Sequence, residues 1–516
     1  MRGKFVLRAG GVILAVFCLV AVAVADVKLP GVFGDHMVLQ RELPIPVWGW
    51  ADPAEQVTVT LSDQSKTTTA DSTGKWCVKF DPLKAGGALV LKVQGKNSVQ
   101  FSDVLLGEVW LCSGQSNMAM SVGGVTNAQA EIASADYPKI RLYTVDHKPA
   151  AEPKDNCGGP WRLCSPKTVG GFSAAGYFFG RELHKQLDVP VGLIDSSWGG
   201  TPIETWISAK AQEALPELKP SVQNLQRQIE DFDSGKGKEQ YEKQLAGWEK
   251  AGAKAKAEGK LFKDRKPQPP QDPRLRAGSP GTLYNGMIAP LAPYAIRGAI
   301  WYQGESNAGN AKLYGLQLKT MVGNWRADWK SDLAFIAVQL PNFMAPQTAP
   351  SEPVGGWPLV REQFFKTLSA VPNTGMAVTI DIGEAKDIHP HNKQDVGKRL
   401  AYWALAKTYG KDVVASGPLY KSMRADGDKI VVEFDYADSG LAVREGGKLK
   451  GFAIAGADKK FVWAEAQVIG NTVVVSSPEV KSPAAVRYAW ANNPDCNLVN
   501  KAGLPASPFR TDDWAK

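Results

Sequence analysis

Short apolar runs alternate with helical stretches between residues 108 and 409, and this alternation constrains the fold more than any other feature of the sequence. Runs such as 298–302 and 334–338 are typical of buried strands, whereas 174–187 and 394–409 have the spacing of helices. Strands that alternate with helices favour an open, mostly parallel sheet with helices on both faces. Sites in such sheets form at the carboxyl ends of the strands, which is where polar side chains are to be sought.

Both ends of the chain are instead rich in short β runs broken by turn residues. Alternating runs at 56–61 and 75–80 are separated by turn segments, which predicts a small antiparallel sandwich, and a similar pattern returns late in the chain. A chain of 516 residues also exceeds what one hydrophobic core usually serves. We therefore expect an N-terminal β-sandwich over 26–104, a catalytic α/β domain over 105–412 and a β-rich region over 413–516. The pattern leaves open whether the two β regions form one domain or two.

Residues 209–276 depart from the α/β rhythm. The segment is rich in Lys, Glu, Gln and Ala and ends in the proline-rich stretch 266–270, which indicates an inserted helical hairpin with a charged, solvated face. An arm that binds a partner is the alternative. The formal net charge is +8, but much of the lysine lies in this segment, so we expect no nucleic-acid partner.

The first 25 residues have the pattern of a secretory signal peptide. Three basic residues precede an apolar run at 12–24, which ends in Ala-Val-Ala. The alternative is an uncleaved membrane anchor, although the run is short for a membrane span. We expect a cleaved signal, a mature protein that is secreted or periplasmic, and no membrane association after cleavage.

Five cysteines remain after the predicted cleavage, so at least one is free or paired between chains. Cys157 and Cys164 enclose a short Gly-Pro-Trp loop. Because an oxidising compartment permits disulfides, we expect these two cysteines to form one.

The strongest candidate for chemistry is Ser116. It follows an apolar run that breaks at Gly114, and a serine at such a strand end is accessible to a base and to an oxyanion site. The alternative is that Ser116 only caps a helix.

A serine nucleophile needs a base, usually a histidine that a carboxylate orients. The best-placed of the five histidines is His389, in a loop that follows an apolar run, with Asp387 two residues before it. Asp387 as a helix cap is one alternative, and a metal site formed with His391 is another. No further cluster of Asp and His completes a metal sphere in the sequence, so we expect no metal and no cofactor.

Two more strand ends carry glycines and polar side chains. The stretch 301–309 contains Gln303 and Asn307, whose side-chain amides suit an oxyanion site. It also contains Glu305 and Ser306, and Ser306 is a rival nucleophile. In the stretch 194–204 a Gly-Gly turn at Gly200 can bring a backbone N–H close to a ligand, although a plain tight turn would have the same sequence.

Taken together, the blocks 113–118, 198–201, 301–307 and 387–390 resemble the sialate O-acetylesterase family, within the serine esterases named after their Ser, Gly, Asn and His blocks. The resemblance extends from about residue 29 to 510. It implies an α/β/α three-layer core and the removal of acetyl groups from an O-acetylated carbohydrate without a cofactor. An esterase for acetylated plant polysaccharide such as xylan, and a non-catalytic carbohydrate-binding protein, are the alternatives.

The resemblance also implies roles for individual residues. Ser116 would be the nucleophile and His389 the base, and the N–H groups of Ser116 and Gly200 would form the oxyanion site. A side chain from the 303–307 block, Gln303 or Asn307, would complete that site. Asp387 is the first choice for the carboxylate that orients His389, and Glu305 competes with it. The oligomeric state stays open.

Overall fold

The computed structural model describes residues 26–514, except the side chain of residue 368. The predicted α/β fold with β-rich ends is confirmed, since a large, mostly parallel central sheet is followed by separate β-sheets. The predicted signal peptide lies outside the described residues. Among residues 26–514, no helix has both the length and the apolar character that crossing a membrane requires.

The N-terminal strands alternate between buried and exposed residues, as the sequence predicts. In the pair formed by residues 45–50 and 75–80, Val47 and Val78 face inward opposite each other, while Lys75 and Lys79 point outward. The strands of this region are β1 (Val38–Gln40), β2 (Ile45–Trp50), β3 (Gln56–Leu61), β4 (Gln64–Thr69), β5 (Lys75–Phe80) and β6 (Gly86–Gln94).

One long strand, β7 (Ser98–Gly114), joins the N-terminal region to the core. Its first half pairs antiparallel with β6, whereas its second half is buried and pairs parallel with core strands on both sides. The change follows from the sequence, because the polar alternation of residues 98–103 gives way to a continuous apolar run that can be buried on both faces. The expected boundary between residues 104 and 105 therefore falls inside one strand.

The core sheet has the order β13-β12-β11-β7-β10-β8-β9, and its strands are parallel except β9, which is antiparallel to β8. These strands are β8 (Tyr137–Thr144), β9 (Trp161–Cys164), β10 (Val191–Ser197), β11 (Gly298–Tyr302), β12 (Ala334–Val338) and β13 (Thr374–Ala377). The helices of the described chain are α1 (Ser116–Ala119), α2 (Ala128–Ala133), α3 (Ala174–Leu187), α4 (Ala209–Glu213), α5 (Lys219–Asp233), α6 (Lys236–Ala257), α7 (Ala311–Trp329), α8 (Gly356–Ala370) and α9 (Lys393–Trp403).

Helices cover both faces of this sheet. Successive residues of β11 separate the two layers, because Trp301 packs in a cluster with α7 and α8, whereas Ile300 packs in a cluster with α3 and α9. Between the layers all five residues of β11 are buried. This is the three-layer arrangement that the resemblance implies.

The C-terminal strands form sheets of their own around a separate apolar cluster. Buried Arg361 of α8 attaches this region to the core, since its guanidinium donates hydrogen bonds to the carbonyl oxygens of Ala491 and Asn492 at 2.6 and 2.9 Å. The strands are β14 (Leu419–Asp426), β15 (Lys429–Asp435), β16 (Leu441–Val443), β17 (Phe452–Gly456), β18 (Val462–Trp463), β19 (Glu465–Ile469), β20 (Thr472–Ser476), β21 (Pro483–Tyr488), β22 (Leu498–Asn500) and β23 (Phe509–Arg510).

The predicted disulfide between Cys157 and Cys164 is wrong, because the cysteines among residues 26–514 are all free thiols. Cys157 Sγ lies 3.8 Å from the hydroxyl of Tyr143, whereas Cys164 pairs with Tyr137 at the other end of β8. Cys164 is the last residue of the extended strand β9 and Cys157 precedes that strand, so β9 holds the thiols apart, which loop length alone does not reveal.

Candidate active site

Three of the four sequence blocks meet because β10 and β11 are the two neighbours of β7 in the sheet. Gly114, at the end of β7, is level with Ser197 of β10 on one side and with Tyr302 of β11 on the other. The segments that follow these three strands therefore start at the same edge of the sheet. The fourth block follows β13 and returns toward β7 through the loop 378–392.

Gly114 sets the turn that presents Ser116. Its φ is +143°, and a Cβ there would lie 2.1 Å from the carbonyl oxygen of Tyr302, so only glycine fits. Gln115 N–H donates to that same carbonyl oxygen at 3.0 Å. Helix α1 then begins at Ser116, with Gln115 rather than Ser116 at its N-cap, so the serine is not the helix cap that the alternative proposed.

His389 lies against this serine. Its Nε2 is 2.9 Å from Ser116 Oγ, and its Nδ1 is 3.3 Å from Asp387 Oδ1. The backbone N–H of His389 also donates to Asp387 Oδ1 at 2.8 Å, and this bond is the main reason that the pKa of Asp387 lies below its ordinary value. Hydroxyl, imidazole and carboxylate thus stand in the order that nucleophilic serine chemistry requires.

Glu305, the competing carboxylate, is held elsewhere. Its Oε1 accepts a hydrogen bond from Asn117 Nδ2 at 2.6 Å, and its side chain is buried. Burial raises the pKa of Glu305. Of the two predicted carboxylates, the structure brings Asp387 to His389 and places Glu305 behind the serine segment.

A buried pair, Asn117 and Lys393, binds the carbonyl oxygens of the two residues next to His389 in the chain. Asn117 Nδ2 donates to the carbonyl oxygen of Ile388 at 3.0 Å, and Lys393 Nζ donates to that of Pro390 at 2.5 Å. Lys393 is fully buried, and burial lowers its pKa to about 7. Sequence reasoning misses this lysine, because a single Lys at the start of a helix carries no signal of its own. Asn117 lies in the block 113–118, but the sequence gives it no role.

The Gly-Gly turn after β10 faces the serine from the other side. Trp198 N–H donates to the carbonyl oxygen of Gly114 at 3.0 Å, which aligns the turn with the end of β7. A Cβ on Gly199 would be only 3.4 Å from Ser116 Cβ, whereas Gly200 is exposed, has a φ of +74° and has no neighbour within 4 Å of its Cβ position. Backbone of this kind leaves N–H groups accessible to a ligand beside Ser116.

Gln303 and Asn307 are buried and bind other protein groups. Gln303 Nε2 lies 2.7 Å from Asn307 Oδ1 and 3.2 Å from the carbonyl oxygen of Thr201, while Asn307 Nδ2 donates to Glu204 Oε2 at 2.9 Å. Their amide N–H groups therefore tie the Gly-Gly turn to the end of β11. In the structure both side chains therefore support the Gly-Gly turn, and the hydrogen bonds described here use their N–H groups on protein atoms.

The remaining candidates lie apart from the imidazole. Ser306 is exposed, and in the described chain no histidine lies within hydrogen-bonding distance of its hydroxyl. His391 Nδ1 contacts Glu384 Oε1 at 2.7 Å, a pair that closes the His389 loop. Among residues 26–514, no group of three or more His, Cys, Asp or Glu side chains is arranged to hold a metal ion.

Comparison with known proteins identifies the family. Residues 106–260 and 274–406 match the family described as carbohydrate esterase, sialic acid-specific acetylesterase, and these two segments together make up more than half of the chain. The chain belongs to this family. It is a carboxylic ester hydrolase, and the non-catalytic alternative is set aside.

Relatives of this esterase resemble it over nearly its whole length. The sialate O-acetylesterase of Rattus norvegicus is 30% identical over 92% of each chain, and that of Homo sapiens is 29% identical over 92% of the present chain and 90% of its own. A solved carbohydrate acetylesterase from Xanthomonas citri is 39% identical, covers 95% of the esterase and 100% of its own chain, and superposes with a TM-score of 0.79. These similarities support carbohydrate acetylesterase activity.

Proposed function

We propose that the esterase removes O-acetyl groups from sugars through an acetyl-serine intermediate on Ser116, and that its main substrate is O-acetylated sialic acid. The contact of 2.9 Å between Ser116 Oγ and His389 Nε2 carries this proposal. The sialate O-acetylesterases among its relatives support the substrate.

In the first half-reaction Ser116 Oγ attacks the acetyl carbonyl carbon while His389 Nε2 takes the hydroxyl proton. The carbonyl oxygen becomes an oxyanion, for which the N–H groups of Ser116 and Gly200 are the donors. Asp387 holds the imidazole and stabilises its positive charge. His389 then gives the proton to the departing sugar oxygen, so that the ester C–O bond breaks and the free hydroxyl leaves.

In the second half-reaction a water molecule attacks the acetyl-serine. His389 takes a proton from that water and returns it to Ser116 Oγ as the C–O bond to serine breaks. Acetate and the free enzyme result. The buried side chains of Gln303 and Asn307 act by keeping the Gly-Gly turn in place.

The test is hydrolysis of p-nitrophenyl acetate by the wild type and by Ser116→Ala. We expect the substitution to remove nearly all turnover, by about a thousandfold or more, because no other hydroxyl among residues 26–514 contacts His389. Ser306→Ala is the matched control and keeps its turnover. If Ser116→Ala hydrolysed the ester at the wild-type rate, the proposed mechanism would be wrong.

Acetylated polysaccharide is the second candidate substrate. The carbohydrate acetylesterase from Xanthomonas citri, which is 39% identical, supports this candidate, because carbohydrate substrates include polysaccharides. Acetate release from O-acetylated sialic acid and from acetylxylan, measured at equal acetyl concentration, separates the two candidates.

We also propose that the esterase is secreted, because residues 1–25 have the sequence pattern of a signal peptide. Expression of the full chain followed by mass spectrometry of the mature N-terminus tests this. A product that begins at Asp26 is expected, and a retained Met1 would contradict it.

A further inference from the structure

A groove separates the Gly-Gly turn from the helical insertion. Trp198 and Glu204 line one wall, and α5 and the segment 271–280 line the other. Its volume of about 710 Å³ lies in the range of sites that hold a small ligand. Nothing in the proposed chemistry on Ser116 uses this space.

The groove begins next to the serine. Trp198 directly precedes Gly199, whose Cβ position lies 3.4 Å from Ser116 Cβ. A sugar with its acetyl group on Ser116 therefore has the groove beside it. A chain that extends from that sugar along the wall of the turn would enter the groove.

The wall formed by α5 is one uncharged helix face. Its groove-lining residues are three and four positions apart, which places them on the same side of the helix; they are Ser221, Asn224, Leu225 and Gln228. The charged residues of α5 lie at other positions, so this face differs from the rest of a charged insertion. Asn224 is exposed, and its amide makes no hydrogen bond with the described chain.

An aromatic ring lines the opposite wall. One face of the half-buried Trp198 indole stacks on His147, with ring centroids 4.3 Å apart and planes 13° apart. On the same wall as α5, Leu275 adds an apolar side chain that is 56% exposed. Accessible apolar side chains next to an amide that no protein group binds suit a ligand that has both C–H faces and hydroxyl groups.

The charged side chains in the groove do not favour an ion. Glu204 and Arg276 contribute one charge of each sign. Glu204 accepts the amide of Asn307, and the Arg276 guanidinium donates to Gln228 Oε1 and to the carbonyl oxygen of Gln271. The ligand chemistry that fits this surface is that of uncharged sugar residues.

We propose that the groove binds sugar residues attached to the acetylated sugar, so that the esterase prefers acetylated oligosaccharides or glycan chains to free acetylated monosaccharides. The helical insertion is then a determinant of specificity, and α5 supplies its polar contacts. This inference rests on the proposed function, because it assumes that the acetyl group is bound at Ser116.

The test compares kcat/KM for an acetylated oligosaccharide with kcat/KM for p-nitrophenyl acetate. Acetylated xylo-oligosaccharides and an O-acetylated sialyl-oligosaccharide serve as the glycan probes, each beside its acetylated monosaccharide. We expect the wild type to favour the oligosaccharide of at least one pair. Asn224→Ala should lower the ratio of oligosaccharide to p-nitrophenyl acetate turnover by about threefold to tenfold, the effect of one lost hydrogen bond.

Asn224→Trp fills the groove and should lower that ratio further, to a tenth of the wild-type value or less. Gln223→Ala, one position away on α5 and outside the groove, is the matched control and leaves the ratio unchanged. Equal ratios for the wild type and both Asn224 variants would overturn the inference, as would equal kcat/KM for monosaccharide and oligosaccharide in both pairs. Ser116→Ala in the same assay reports on the proposed function separately, since loss of the nucleophile abolishes turnover of p-nitrophenyl acetate and of every glycan alike, whereas loss of groove binding affects only the glycans.

Discussion

Asn117 Oδ1 accepts a hydrogen bond from Lys393 Nζ at 2.7 Å, and this buried contact joins the segment that carries Ser116 to the segment that carries His389. The two side chains also hold the carbonyl oxygens before and after His389. The Lys393 ammonium lies over the ring of Tyr302, 5.4 Å from its centroid. Buried contacts that do not involve the reacting groups themselves therefore hold the serine and the imidazole at their distance.

Replacement of Lys393 by Met is expected to slow the chemistry more than it weakens binding. The variant keeps the buried stem but cannot donate to Asn117 or Pro390, so the His389 loop loses one of the buried contacts that hold it. We expect kcat for p-nitrophenyl acetate to fall about tenfold to a hundredfold, the cost of a small misplacement, with a smaller change in KM. Lys398→Met, at an exposed position of the same helix, is the control; a Lys393→Met enzyme with wild-type kcat would contradict the positioning role.

The pH dependence of stability offers a second test of the same lysine. Burial lowers the pKa of Lys393 to about 7, whereas a lysine in the unfolded chain titrates near 10.4. Between these values the unfolded state binds one more proton, so the free energy of unfolding rises with pH. Below about pH 7 the lysine is protonated in both states, so the slope disappears and the destabilising effect of the buried charge is at its largest.

We therefore expect the free energy of unfolding of the wild type, minus that of Lys393→Met, to increase between about pH 7.5 and 9.5. Urea unfolding at several pH values measures it. The same comparison in a Glu305→Gln background removes the titration of the neighbouring carboxylate. A difference that is flat or falls with pH would mean that the buried lysine is not the titrating group.

Replacing each of the two carboxylates by the corresponding amide shows which of them orients His389. Asp387→Asn should lower kcat about a hundredfold to ten-thousandfold, because a neutral partner no longer stabilises the imidazolium. Glu305→Gln should lower it less than about tenfold, since Glu305 contacts Asn117 and not His389. Steady-state kinetics of the two variants decide the matter, and the reverse order would make Glu305 the orienting acid.

Gly114 should tolerate no side chain. In Gly114→Ala the methyl group would meet the Tyr302 carbonyl oxygen at 2.1 Å, in a backbone conformation that alanine avoids. We expect a loss of at least about 2 kcal/mol in the free energy of unfolding, seen as a lower Tm. Gly309→Ala is the control, because that glycine is exposed and has no atom near its Cβ position; equal Tm values for the two variants would contradict the steric argument.

Local patterns were enough to find the strand ends. Apolar runs precede the strand ends at Gly114, Ser197 and Tyr302, so each strand and its polar terminus can be located separately, and parallel pairing then aligns them. The strand before His389 is located less well, since the apolar run at 376–380 predicts a strand there, whereas β13 ends at Ala377 and residues 378–380 belong to the loop.

Contacts between distant segments were not predictable in this way. Gln303 and Asn307 have amides that suit an oxyanion, but their donors are used on Thr201 and Glu204, some hundred residues away. The spacing of Cys157 and Cys164 suggested a bridge, yet β9 holds them apart. In each case the residue type indicates the kind of interaction, but the sequence does not indicate which group is the partner.

The sequence by itself determined the α/β core, the serine and histidine blocks and the family, because these depend on periodicity and on motifs within a few residues. Only the tertiary structure decided that Asp387 contacts His389, that Glu305 lies behind Asn117, and that Lys393 is buried between them. The physical reason is that burial and side-chain direction depend on packing between strands and loops that are far apart in the chain. Asp387 and Glu305 are both carboxylates near Ser116, and the fold decides which of them contacts the imidazole of His389.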